Sequence, residues 1–198
     1  VTAHAIGTAV ITVTTADGEK TAQCTVTVED EPIRERTIPD GEYVIVGIAD
    51  GGLHGAVKWD GSSNNLKTIP LELQSGKLLY TPDHDKSDVK MTITYQEDGI
   101  GAGLYTIKDA SNRYLYAVST QSNYMKAQAT PSTNAYWAIV QQQDGSYSIV
   151  AEKAESNRRN VMRCNLNNGS PIISCYASSE EQSPVSLYPF STLEEKEV

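Results

Sequence analysis

Phenylalanine is almost missing from this 198-residue chain, cysteine and histidine are scarce, and no stretch stays apolar for long. A single Phe stands against eleven Tyr and two Trp. Tyr packs its ring inward while its hydroxyl reaches water or a partner, so this skew favours half-buried pleated strands over helices. Three Cys (Cys24, Cys164, Cys175) offer no C-x-x-C spacing and three His are scattered, which excludes the common metal-ligand patterns. No G-x-S-x-G, H-E-x-x-H or P-loop motif occurs, and none of His4, His54 and His84 stands in a nucleophile–base motif. The chain is therefore expected to be neither an enzyme nor the holder of a cofactor. No run approaches the roughly 20 apolar residues of a spanning helix, so membrane insertion is not expected. Lys and Arg number 16 against 25 Asp and Glu, for a net charge of −9. That balance argues against nucleic acid or an anionic membrane as the main partner. Val1-Thr2-Ala3 does not open a signal peptide, and a chain that starts on Val reads as a processed product or a fragment.

What is present is short-period alternation. Ala9, Ile11 and Val13, then Ala22, Cys24, Val26 and Val28, alternate with polar residues, the period of a strand with one buried face. Asp17-Gly18 between the two runs signals a hairpin, and Cys24 is expected to be a buried thiol. Residues 31–38, charged and broken by Pro32, read as a linker after a first segment of residues 1–30. A lone hairpin is marginal in water, so it must pack on something else.

Residues 39–190 carry a repeat. Gly41-Glu42-Tyr43-Val44-Ile45, Gly103-Leu104-Tyr105-Thr106-Ile107 and Gly145-Ser146-Tyr147-Ser148-Ile149 share the pattern Gly-x-Tyr-x-Ile. Tyr and Ile two apart face one side of a strand, and the Gly before them suits a turn. Three further short apolar runs follow each phrase, for example 113–117, 124–127 and 136–140 in the second unit. Gln96-Glu97-Asp98-Gly99 and Gln142-Gln143-Asp144-Gly145 both lie between a fourth and a first strand. The first unit is longer, which implies an insertion around residues 70–90. Three units of four strands predict an all-β fold, a closed β-trefoil, with a β-sandwich as the rival. Residues 191–198 read as an acidic tail. Cys164 and Cys175 flank the Asn167-Asn168-Gly169 turn signal, and whether they form a disulfide depends on a register that sequence does not fix.

Two resemblances attach to these patterns. The text "GTAVITVTTADGEKTAQCTVTV" resembles the closing hairpin of bacterial Ig-like group 2 domains, sandwich modules of surface adhesins and secreted enzymes. The phrases "GxYxI", "YLYA" and "W-x-I…DG-x-Y-x-I" resemble trefoil lectin-like domains, and are similar to a domain appended to secreted and surface proteins of Bacteroidetes-type gut bacteria. These resemblances imply a noncatalytic binding module of a secreted or cell-surface bacterial protein, with a glycan as the first ligand class. The alternative is a structural or adhesion domain that meets a surface protein and serves another domain of a longer chain.

The lectin resemblance places a sugar pocket in each unit, at the turn after the first strand and in the third strand. Unit two then offers Asp109, Asn112, Asn123, Tyr124 and Gln128. Unit three offers Glu155, Asn157 and Asn167, and unit one Asp50 with Trp59 and Asp60. An aromatic ring stacks on a sugar while carboxylates and amides accept from its hydroxyls. Trp59, flanked by Lys58 and Asp60-Gly61-Ser62-Ser63, is the expected exposed contact, whereas Trp137 is expected in the core. The Q-x-W signature of the lectins is missing, Ala135-Tyr136 standing before Trp137. Asp83-His84-Asp85 with Asp88 is dense in oxygen but lacks the glycine and distal Glu of a calcium loop, and reads as solvated.

Overall fold

A computed structural model describes residues 7–28, 34–118, 121–154 and 159–197. It divides into two units, residues 1–33 and residues 34–198. In the first, β1 (Gly7–Thr14) and β2 (Thr21–Val28) form an antiparallel hairpin in which Ile11 faces Cys24 and Ala9 faces Val26. This register gathers Ala9, Ile11, Val13, Ala22, Cys24 and Val26 on one face and mostly threonines on the other. Val10, Ile11 and Val13 are exposed. Cys24, expected to be buried, is likewise an exposed free thiol, because the two described strands of this unit form a single layer.

The second unit is built from β3 (Gly41–Ala49), β4 (Gly52–Ala56), β5 (Leu66–Gln74), β6 (Lys77–Tyr80), β7 (Met91–Tyr95), β8 (Tyr105–Lys108), β9 (Tyr114–Ala117), β10 (Met125–Gln128), β11 (Trp137–Gln141), β12 (Tyr147–Ala151), β13 (Arg159–Asn167), β14 (Ser170–Ala177), β15 (Val185–Pro189) and β16 (Leu193–Glu195). The first and fourth strands of each repeat close a six-membered ring. β3 pairs β7, β7 pairs β8, β8 pairs β11, β11 pairs β12, β12 pairs β15, and β15 returns to β3. Closure leaves none of these strands as an open edge. The second and third strands form three hairpins, β4–β5, β9–β10 and β13–β14.

Ile45, Ile107 and Ile149 of the repeated phrase are fully buried in the barrel, as is Trp137, whose indole N–H donates to Leu115 O at 3.2 Å. Tyr105 is buried too, and its hydroxyl ties down the chain entering the barrel. It accepts from Thr37 N (2.7 Å) and Ile38 N (2.9 Å) and donates to Ile38 O (3.0 Å). Gly103 and Gly145 adopt positive φ, 77° and 84°, as the turn reading required, whereas Gly41 already lies in β3. The junctions correspond through Gln96 and Gln142. Gln96 N donates to Leu104 O and Gln142 N to Ser146 O, both at 2.8 Å. Gly103 and Gly145 are thus the equivalent residues, and Asp98-Gly99 is not the counterpart of Asp144-Gly145. Gly99 instead starts a single 3-10 turn, Gly99–Gly101.

The expected insertion is ordered. β5 runs on into β6 through Ser75-Gly76, both at positive φ, and a 3-10 helix at Lys86–Val89 leads to β7. The tail is not merely acidic, since β16 pairs in parallel with β6 and buries Leu193 completely. Val44 and Val46 on the outer face of β3, Ile69 and Leu71 of β5, Leu78, Val89 and Leu193 make a second apolar cluster outside the barrel. β3 is thus covered on both faces, which explains its unbroken apolar run Tyr43-Val44-Ile45-Val46. The Asn168-Gly169 turn forms with both residues at positive φ. It sets Cys164 opposite Ile173 and Cys175 opposite Met162, a diagonal offset, and both thiols are buried and free. Diagonal neighbours lie roughly 7–8 Å apart, beyond the span of a disulfide.

Candidate functional site

The expected contact residues divide between two places. Asp109 follows β8 with its side chain wholly buried. Its Oδ1 accepts from Ser111 N (2.9 Å) and Arg113 N (3.0 Å). Its Oδ2 accepts from Trp59 N (3.2 Å), Arg113 Nε (3.1 Å) and an Arg113 terminal nitrogen (2.7 Å). The same guanidinium donates to Trp59 O and lies 5.2 Å from the Trp59 ring. Trp59 is half-buried against the barrel core, its indole N–H held by Ser63 O at 2.7 Å. Trp59 is therefore not the exposed platform expected from its polar neighbours. Together with Asp109 and Arg113 it joins the β4–β5 loop of unit one to the β8–β9 turn of unit two.

Asp60 organises that loop. Its Oδ1 accepts from Ser62 N (2.9 Å) and Ser63 N (2.8 Å), and its Oδ2 meets Lys67 Nζ at 2.9 Å. These donors, the Ser63 and Ser62 amides foremost, hold its carboxyl well below the usual range. Asn112 sits at φ 59° in the β8–β9 turn and Asp50 at φ 50° in the β3–β4 turn, left-handed positions that Asn and Asp tolerate. Gln128, at the end of β10, donates to Ser132 Oγ at 2.8 Å. Glu155 and Asn157 lie outside the described residues. Asp85 caps the Lys86–Val89 helix through Ser87 N (2.8 Å), and no acidic or His/Cys cluster suited to a metal occurs among the described residues.

Tyr124, Asn123 and Asn167 meet elsewhere, in a cleft of about 230 Å³ where all three units converge. Unit one supplies Asn65, unit two Asn123 and Tyr124, and unit three Asn165, Asn167 and Gln182. The floor is braced from within. With its amide turned so that the nitrogen faces the surrounding acceptors, Asn65 donates to Asn123 O (2.8 Å) and Asn64 O (2.9 Å), and Ser174 Oγ donates to Asn123 O at 2.5 Å. Arg159 holds Asn123 Oδ1 at 2.6 Å, and Tyr176 donates its hydroxyl to Asn165 Oδ1 at 2.7 Å. Burial raises the Tyr176 pKa and keeps it a neutral donor. Among the described residues nothing holds the Asn165 amide nitrogen or either end of the Asn167 amide. Gln182 Oε1, also at this cleft, is enclosed without a donor. Among the described residues, the cleft lining carries no carboxylate and no cation.

Asn65, Asn165, Tyr176 and Gln182 escaped sequence reasoning. The available signal was Asn165-Leu166-Asn167, two amides two apart and so on one face of a strand.

No protein-family model matches the sequence, and no curated protein does. Solved structures do match. A Polyporus squamosus lectin bound to a human-type influenza-binding epitope aligns with TM-score 0.52 and 12% identity, over 77% of this chain and 50% of that one. The BEL beta-trefoil in an apo crystal form aligns with TM-score 0.50 and 13% identity, over 77% and 95%. The fold is a β-trefoil. The Haemophilus ducreyi cytolethal distending toxin also matches, with TM-score 0.50 and 10% identity over 79% and 87%. Identities this low establish the trefoil architecture, and trefoils host unrelated functions.

Proposed function

We propose that the trefoil is a noncatalytic carbohydrate-binding module of a secreted or cell-surface bacterial protein, with the amide-lined cleft as its site. The observation that carries this reading is the convergence of five amide side chains beside the Tyr124 ring, with the Asn167 amide and the Asn165 nitrogen left open and no charged side chain among the described lining residues. Saccharide hydroxyls donate and accept together, and amides are the side chains that answer both at once. The match to a lectin solved with a bound epitope adds support from fold analogy. Glycan-array screening followed by calorimetry tests it. A neutral glycan should bind, and Tyr124→Ala and Asn167→Ala should each weaken it about fivefold or more, the worth of roughly 1 kcal/mol. Both variants should keep the wild-type melting temperature. No binding at millimolar glycan, together with unchanged mobility in polysaccharide gels, overturns the reading.

One observation favours the alternative of a structural or adhesion domain accessory to a longer chain. Within its own unit the β1–β2 hairpin leaves Ile11, Val13 and Cys24 exposed on its apolar face, as expected of a piece of an Ig-like sandwich. Capture of a surface protein by the chain, undiminished by Tyr124→Ala and Asn167→Ala, would support that role.

A further inference from the structure

The amide cleft adjoins a second hollow. This one measures about 420 Å³ and is lined by Ser63, Lys67, Thr68, Ser170 and Pro171. Asn65, Asn167 and Ile172 line both hollows, so the two adjoin across these three residues. Sites that enclose drug-sized ligands hold roughly 300–1,000 Å³. The first hollow alone, at about 230 Å³, is smaller than that range, the second falls within it by itself, and the two together remain within it.

The lobes differ in chemistry. The first presents amides and the Tyr124 ring. The second presents hydroxyls, the Pro171 ring and one cation, Lys67, whose charge is matched by Asp60 at 2.9 Å. No carboxylate lines either lobe. Pro171 and Ile172 supply apolar surface suited to the C–H face of a pyranose, with amides and hydroxyls in the same lining.

We infer that the two hollows together take an uncharged oligosaccharide of at least two sugar units, laid across Ile172 with one unit in each lobe. This rests on the carbohydrate reading of the first lobe. A ligand confined to one lobe would leave the other hydrated, whereas a second linked unit gains contacts without a second loss of translational freedom.

The experiment is calorimetry on the whole chain with matched mono-, di- and tetrasaccharides of the array's best-bound neutral sugar, chosen from glucose, galactose, mannose and xylose series. The disaccharide should bind at least tenfold tighter than the monosaccharide, and the affinity should change less than twofold between 20 and 500 mM NaCl. Ser170 is exposed beside the turn, so Ser170→Trp fills the second lobe without entering the core. It should remove the disaccharide advantage, and Ser170→Arg serves as a second obstruction if the Trp variant melts early. Equal affinity for mono- and disaccharide overturns this inference and leaves the carbohydrate reading intact, as does a disaccharide advantage that survives both obstructions. Salt-sensitive binding overturns the uncharged-ligand part. Failure of every sugar to bind the wild type overturns the carbohydrate reading and this inference together.

Discussion

Replacing Asp109 by Ala should be among the most damaging single changes in the trefoil. The carboxylate is wholly buried and accepts from five donors on three residues, two of them from the Arg113 side chain. Removing one partner of a buried ion pair costs about 3–5 kcal/mol. Arg113 keeps 26% of its side chain exposed, so water recovers part of its charge, which places the loss near the low end, about 3 kcal/mol. At roughly 2–4 °C per kcal/mol for a domain of this size, the melting temperature should fall by about 6–12 °C. Both tryptophans, Trp59 and Trp137, lie in the trefoil, so urea unfolding followed by their fluorescence reports this unit and not the hairpin. The double variant Asp109→Ala/Arg113→Ala should lose less than the sum of the single changes, by about 1–3 kcal/mol, because no stranded cation is left. A single-variant cost under about 1 kcal/mol, or strictly additive costs, would refute a stabilising role for the Asp109–Arg113 pair.

Tyr105→Phe should cost about 2 kcal/mol in the same assay, since it strips the acceptor from the Thr37 and Ile38 amides; a neutral result would mean water takes over that role. Asp60 titrates below its unfolded value of about 3.9, so its contribution is present above that pH and is lost as the pH falls through the lower folded value. Acid unfolding should therefore be less steep in Asp60→Asn than in wild type, measured by melting temperature from pH 5 to pH 2. Iodoacetamide at pH 8 should label Cys24 alone in the native protein, because Cys164 and Cys175 are buried, with the Cys164 thiol pushed up to about 11 by burial. Mass spectrometry should find three alkylated thiols only after unfolding without reductant; a 164–175 disulfide would refute the offset register.

The Gly-x-Tyr-x-Ile phrases determined the twelve-strand plan, because alternation is local and a barrel interior demands it three times over. The Asn168-Gly169 turn was equally legible, since only a few residues accept positive φ at both positions. Trp59 misled because its neighbours are polar, yet a partner fifty residues away, Asp109, draws it inward. The tail misled in the same way, as Leu193 followed by Glu194 and Glu195 reads as surface until β6 is beside it. The cleft belongs wholly to the tertiary structure. Asn65, Asn123 and Asn165 stand in three different repeats, and no sequence period places them together. Closing the barrel brings their hairpins to one point, where the Asn123 residue is held by Asn65 and Arg159 from the other two repeats and Asn165 by Tyr176 of its own.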